Sequence, residues 1–372
     1  MDAQRASNRT GGKNSNRTAG NFSQTNLPFA GKIKLFEDNK EQKGISIMKI
    51  DYRIRDDFAE IIRCRGTISK VVLPEQIGRY PVKKVAAYAF SSKKGKEDTD
   101  ILVYESPEDI LFGENERLLA GEEIEEVIFP DTVEEIGNYI FYNCKMLNRL
   151  EFSDSLVRLG SGAFTGCGNL EFLTVHLKRG KKSCVKEILG ELWQRMDVLF
   201  LHEGADTHEE VQAVRLVFPE HYEEAVENTP ARILFTQHHG IGNNYRQCFY
   251  SREIDYRKYD SLFPLAAAQE KPEVLNDMVF SRLTGPCGLT EEYRKMYETY
   301  VREHPAETAR YLVSRERSEY FRCMSNWELW SRAALEEAIE EASEKGKTET
   351  LSLLMDEKHR RFPEIKKKRF EL

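Results

Sequence analysis

Two adjacent histidines and two glycines, His238, His239, Gly240 and Gly242, follow an apolar run in the segment ILFTQHHGIGNNY and hold the greatest chemical promise in this chain. A phosphate-binding turn needs glycines so that backbone amides approach the anion ahead of a helix amino terminus. Here Tyr245 stands where G-x-G-x-x-G has its third glycine and no phosphate-binding lysine follows, so the spacing reads as a loop between two elements. The paired histidines would suit a metal, but neighbours on a strand point to opposite faces and neither has a partner four residues on. No catalytic residue, cofactor or metal is expected.

The remaining chemistry-bearing residues read the same way. No H-E-x-x-H, G-x-S-x-G or cysteine-histidine signature is present, and the acidic runs GEEIEEV and LEEAIEEA read as solvated faces rather than acid-base pairs. Seven cysteines without a C-x-x-C pair fit neither a disulfide framework nor a zinc site, so reduced thiols in a cytoplasm are expected.

Composition narrows the class further. A chain of 372 residues with 40% hydrophobic and 31% charged residues is globular, and its length suggests two structured units and a tail. No run reaches the roughly 18 to 20 apolar residues that cross a bilayer, so no membrane partner is expected. The net charge of -7 argues against a general nucleic-acid binder, and the basic run of Lys366, Lys367, Lys368 and Arg369 reads as a solvated helix end. Residues 1–46 read as a disordered polar leader without an export signal, which makes the sequons at Asn8, Asn16 and Asn21 chance matches.

The elements that position any site announce themselves by a fixed step. Ile124, Val127 and Phe129 are followed after twenty-three residues by Leu147, Leu150 and Phe152, then by Leu170, Leu173 and Val175, then by Trp193, Met196 and Val198. A constant step with L-x-x-L-x-L spacing predicts a stacked solenoid, each turn burying its apolar edge on the next. The second half of each turn repeats too: Val133, Ile136, Phe141 and Cys144 are matched by Leu156, Leu159, Phe164 and Cys167. The cysteines are expected to pack as small apolar residues. Gly137 and Gly160 mark a sharp bend that favours positive φ, and Pro130 marks the corner after a strand.

The segments VIFPDTVEEIGNYIFYNCKML and LEFSDSLVRLGSGAFTGCGNL resemble the BspA-like class of leucine-rich repeat. The stretch VVLPEQIGRYPVKKVAAYAF, with Gly78, Pro81 and Val82, resembles a variant of that repeat with an insertion, and MKIDYRIRDDFAEIIRCRG resembles the strands that open such arrays. Ile140 stands where the family usually has alanine, and residues 91 to 123 hold an irregular polar insertion. The resemblance implies a repeat domain over 47–200. Residues 181 to 200 are expected to cap it as a helix over KSCVKEILGELWQRM.

Beyond the cap the period becomes helical. A connecting segment is expected over 201–260, with FPEHYEEAVENT looking helical and ARILFTQ a strand or buried helix. An ankyrin-like helical domain is expected over 261–372, where three helical hairpins place Glu273, Glu307 and Glu349 at steps of thirty-four and forty-two. In the last hairpin Leu335, Ile339 and Ala342 share one face, Leu351, Leu354 and Met355 another, and Gly346 separates the helices.

The fold class is therefore α+β: a leucine-rich repeat solenoid with a parallel strand ladder, followed by an α-helical domain. The expected function is a cytoplasmic protein-protein interaction scaffold that binds another protein on its outward strand positions. Those positions are Glu126, Ile128, Arg149, Glu151, Phe172, Thr174, Arg195 and Asp197, with Ile128 and Phe172 as apolar anchors. The alternatives from other classes are a nucleotide- or metal-dependent regulator or enzyme using the His238 to Tyr245 loop, and a cell-surface adhesin.

Overall fold

The computed structural model describes residues 48–93, 100–105, 117–203, 211–228 and 233–363. The expected leader and the basic run near the carboxyl end lie outside these residues. The strands expected to open the array are β1 (Met48–Arg55) and β2 (Phe58–Gly66), and they pair antiparallel. Then come β3 (Lys70–Val72), β4 (Gln76–Ile77), β5 (Tyr80–Val85), β6 (Leu102–Glu105) and β7 (Arg117–Leu118). The repeats supply β8 (Glu126–Ile128), β9 (Glu135–Ile136), β10 (Arg149–Ser153), β11 (Arg158–Leu159) and β12 (Phe172–Leu177), followed by helix α1 (Val185–Glu191), β13 (Met196–His202) and β14 (Gln212–Phe218).

These strands build a solenoid of about 5 turns. One side is the ladder β3, β8, β10, β12 and β13, all parallel, closed by antiparallel β14. The other side is the sheet β11-β9-β5-β2-β1-β6, with β4 and β7 attached. Between them lie the apolar side chains that the repeat pattern marks: Ile124, Val127, Leu147, Leu150, Leu170 and Leu173 are all buried. The rings of Phe90, Phe141 and Phe164 stack turn upon turn, with centroids 5.3 and 5.6 Å apart. Beside them the Cys144 thiol donates to the Phe90 carbonyl and the Cys167 thiol to the Phe141 carbonyl, both at 3.1 Å. Burial pushes the Cys144 thiol up to about 12, which suits a packing role.

Gly137 and Gly160 are required for a reason other than the expected positive φ, which neither adopts. A Cβ on Gly137 would come within 2.3 Å of the Ala87 nitrogen, and one on Gly160 within 2.2 Å of the Asn138 nitrogen. The glycines let successive backbones touch.

The cap differs from expectation. Helix α1 covers Val185–Glu191 only, and the chain returns to the ladder at β13. The register there steps by twenty-five rather than twenty-three, pairing Phe172 with Asp197 and Leu173 with Val198. Trp193, expected inside, is consequently 59% exposed, while Leu192 beside it is buried.

Residues 201 to 260, expected as a connecting segment, hold β14, the antiparallel ribbon β15 (Tyr222–Asn228) with β16 (Ile233–His239), helix α2 (Gly242–Arg246), the short pair β17 (Phe249–Tyr250) and β18 (Glu253–Ile254), and most of α3 (Tyr256–Ser261). β14 continues the ladder, laying Val214 and Leu216 beside Phe200 and Val198 on the inner face. The helical-looking YEEAVEN is a strand, because Tyr222 and Glu223 find cross-strand partners in His239 and His238.

The remaining helices are α4 (Phe263–Ala267), α5 (Pro272–Thr284), α6 (Glu291–Glu303), α7 (Pro305–Arg315), α8 (Ser318–Asn326), α9 (Arg332–Glu344) and α10 (Thr348–Arg361), which make nine with α2 and α3 among the described residues. Prolines at the first turns of α5 and α7 remove an amide that has no helical partner there. Gly346 separates α9 and α10 at φ +66, and Leu335, Ala342 and Leu354 are buried as expected. Met355 is not: it is 57% exposed. Helix α5 packs against β14 on one side and against α6, α7 and α8 on others, so it is buried nearly all round.

One buried ion pair fixes α5 to its neighbours. Arg282 Nε and Nη2 donate to the two Asp260 carboxylate oxygens at 2.7 and 2.9 Å, both side chains fully buried, and the Tyr297 hydroxyl donates to Asp260 at 2.8 Å. Removing one partner leaves an uncompensated charge, which costs about 3–5 kcal/mol. Asp260→Ala is expected to lower the urea-unfolding free energy by about that amount, and Asp260→Leu combined with Arg282→Met by less. Equal loss in both variants would show that the charge pairing is not what matters.

Candidate functional site

The outward residues of the ladder form rows fixed by strand register. Lys70, Glu126, Arg149, Phe172 and Asp197 make one row, and Val72, Ile128, Glu151, Thr174 and Leu199 the next. In the first row the Lys70 ammonium lies 3.2 Å from the Glu126 carboxylate, and the Arg149 guanidinium sits 4.8 Å above the Phe172 ring. That cation-ring contact keeps Phe172 half-buried and presents a flat, mixed apolar and cationic surface. Ile128 is half-buried as well, and Thr174, expected to face solvent, is buried. A hollow of about 410 Å³ adjoins this row, lined in part by Lys70, Met146, Asn148, Arg149 and Asn169.

A third row carries chemistry that the repeat pattern alone did not mark. His176 continues the alternation of Phe172 and Thr174, and its Nε2 lies 3.1 Å from Glu151 while its Nδ1 lies 2.8 Å from Glu203. Lys178 joins Glu203 to Asp131, at 3.5 and 2.5 Å. The hydrogen bond that His176 donates to Glu151 raises its pKa above the ordinary 6.5, Glu203 adds to it, and burial opposes it. Extending the period of two by one step would have found His176.

Arg195 and Asp197 behave differently from the other predicted contact residues. Asp197 is buried and accepts hydrogen bonds from Arg195 at 3.1 Å and from Arg215 of β14. Arg195 also reaches Asp277 of α5 at 2.8 Å, and Asp277 accepts from Tyr311 at 2.6 Å and from Arg315 at 3.0 Å. Burial would raise the Asp277 carboxyl, but Arg195, Tyr311 and Arg315 hold it below its ordinary value. The last ladder strand thus seats the chain's own helical region. The structure gathers Glu126, Ile128, Arg149, Glu151 and Phe172 into an accessible face and turns Arg195 and Asp197 to this internal junction.

The His238 to Tyr245 segment is organised by packing. His238 and His239 point across the ribbon to Glu223 at 3.2 Å and Glu224 at 3.3 Å, and the His239 ring stacks on Tyr222 at 4.4 Å. A Cβ on Gly242 would lie 2.1 Å from the Pro219 carbonyl oxygen, so this glycine allows a close backbone approach. Arg246, buried at the end of α2, donates to the carbonyls of Leu189, Leu192, Gln194, Pro219 and Gly242, and burial lowers its pKa to about 10. The glycine turn therefore positions a cationic staple between α1, β14 and α2. Among the described residues no group of three or more His, Cys, Asp or Glu side chains is placed to hold a metal. A larger groove, about 680 Å³, crosses the opposite sheet. Its Glu60, Lys84, Glu135 and Arg158 pair with one another.

A ladder of parallel strands at this step, faced by a second sheet of short strands from the other half of each turn, defines a leucine-rich repeat solenoid. Residues 115–187 match the family described as BspA type Leucine rich repeat region, in 6 copies. Among solved structures the chain is similar to a Treponema pallidum (T. pallidum) leucine-rich repeat protein, at 24% identity and TM-score 0.26 over 39% of this chain and 56% of that one. It is also similar to a leucine-rich cell surface protein of Faecalibacterium prausnitzii, at 21% identity and TM-score 0.22 over 35% and 38%. A third is a leucine-rich repeat protein of Bacteroides ovatus, at 16% identity and TM-score 0.17 over 35% and 48%. The chain thus spans between 38% and 56% of the lengths of these relatives. No curated protein matches it.

His176 gives a direct test of the face's electrostatics. Because the folded state favours its protonated form, the stabilisation is complete below the ordinary value of 6.5 and is lost as pH rises through the higher folded-state value. The His176 imidazole resonance is expected to titrate above 6.5, and Glu151→Gln to move it down. A midpoint at or below 6.5 in the unsubstituted protein would contradict the bridged geometry.

Proposed function

We propose that the protein is a non-catalytic scaffold that captures a polypeptide partner on the outward face of its strand ladder. The observation that carries this reading is the Arg149–Phe172 pair at 4.8 Å, with Ile128 nearby and the charged Lys70, Glu126 and Glu151 around them. An aromatic ring held by a guanidinium is a low-entropy anchor of the kind that dominates binding energy, and the surrounding charges supply specificity. Partner recognition is also a general property of leucine-rich repeat domains, which the match over 115–187 supports.

The helical region is read as ankyrin-like. What supports it is the succession of short helices, with the α9–α10 hairpin turning at Gly346 and α9 packing on α7. The proposal places the protein in the cytoplasm, in keeping with six of its seven thiols being used as buried side chains. It predicts that Phe172→Ala with Arg149→Ala abolishes capture of partners from a lysate of the native host while the circular dichroism spectrum and melting temperature stay unchanged. Undiminished capture by the folded double variant would remove the face as the binding site.

A further inference from the structure

The junction between ladder and helices carries more positive charge than its own carboxylates use. Four guanidiniums meet there, from Arg195, Arg215, Arg315 and Arg317, while the carboxylates that accept from them are Asp197 and Asp277. Arg215 and Arg317 both donate to a single neutral oxygen, the Tyr320 hydroxyl, at 3.3 and 3.1 Å. Two cations converging on one phenol repel each other, and a phenol oxygen neutralises neither. Each guanidinium has five donor hydrogens, so Arg317, with the Tyr320 hydroxyl as its acceptor, keeps most of its capacity unspent.

The arrangement is also rigid. Phe280, Tyr311 and Tyr320 stack on one another with centroids 4.9 to 6.1 Å apart, and Arg315 and Arg317 lie over the Tyr311 and Tyr320 rings at 5.6 and 5.4 Å. Cations fixed on a stacked aromatic platform are preorganised for an anion and lose little freedom when one arrives. Arg315 and Arg317 remain partly open to solvent. Through Asp197, in register with Phe172, the platform lies at the end of the row that holds Arg149.

We propose that this corner receives a carboxylate side chain of an acidic polypeptide segment laid across the ladder. The inference rests on the scaffold reading and specifies the partner's chemistry. Arg149 and the corner are separated by two to three strand spacings of about 4.8 Å. An extended segment advances about 3.3 Å per residue, so acidic residues three to four apart engage both. The attraction is ionic and falls as salt rises.

The test uses the full chain and a fluorescent hexaglutamate peptide followed by anisotropy. Losing a hydrogen bond to a charged group is expected to weaken binding about tenfold in Arg317→Gln. Arg317→Lys should retain part of the affinity, and Arg322→Gln, an exposed control on the helix that Arg317 precedes, should match the unsubstituted protein. Equal affinity in Arg317→Gln and the unsubstituted protein, or no binding of hexaglutamate at low salt, overturns the proposal. So does complete displacement of the peptide by millimolar inorganic phosphate, which would make the corner a simple ion site. Failure of the scaffold reading is seen separately, as undiminished partner capture by the Phe172→Ala, Arg149→Ala variant.

Discussion

Successive turns of this chain approach so closely that a methyl group has no room at Gly137 or Gly160, where a Cβ would stand 2.3 and 2.2 Å from the neighbouring backbone. At that separation each turn bonds the next directly: the Gly137 amide donates to the Val85 carbonyl and the Gly160 amide to Ile136, both at 2.8 Å. Everything inside is then set by the same pitch, including the Phe90, Phe141 and Phe164 stack and the thiols that reach back one turn. A solenoid so made has no intrinsic end. Its last turn presents bare strand edge and apolar side chains, and something of different construction must cover them.

Here the cover is built in two layers. β14 reverses direction, spends the hydrogen bonds of β13 and adds Val214 and Leu216 to the core. Helix α5 then covers β14, and the Tyr259 hydroxyl bonds both the amide and the carbonyl of Val217. Bringing a helix onto a strand face that carries Arg195, Asp197 and Arg215 buries charge, which is tolerable only when partners are supplied. Asp277, which accepts from Arg195, and Tyr320, which accepts from Arg215, are those partners. The closure of the ladder and the cationic platform at its end are consequences of one packing event.

Local periodicity made the middle of the solenoid legible. Leu150, Leu173, Phe141 and Cys144 recur at a step that only stacking explains, and all are buried. The same rule misplaced Trp193, because α1 takes two more residues between β12 and β13 than the earlier turns use. The strand β15 was hidden because YEEAVEN is rich in helix formers, and its pairing with β16 is a nonlocal fact. Of the face, Arg149, Phe172 and Ile128 were readable from parity. The burial of Asp197 depends on residues as distant as Asp277 and Arg315, and no local pattern carries that information.

A step longer by two residues leaves Arg195 and Asp197 on the same strand face as Phe172, the face that at this end meets α5. Strand side chains alternate with a period of two, so a shift of two residues moves a pairing along the strand without changing faces, whereas a shift of one would have turned Arg195 and Asp197 into the core. An inward Arg195 could not have reached Asp277 on α5. The parity of the turn's length therefore matters more to this junction than the length itself. That is why α1 could replace a repeat corner while the ladder face continued unbroken into the helical region.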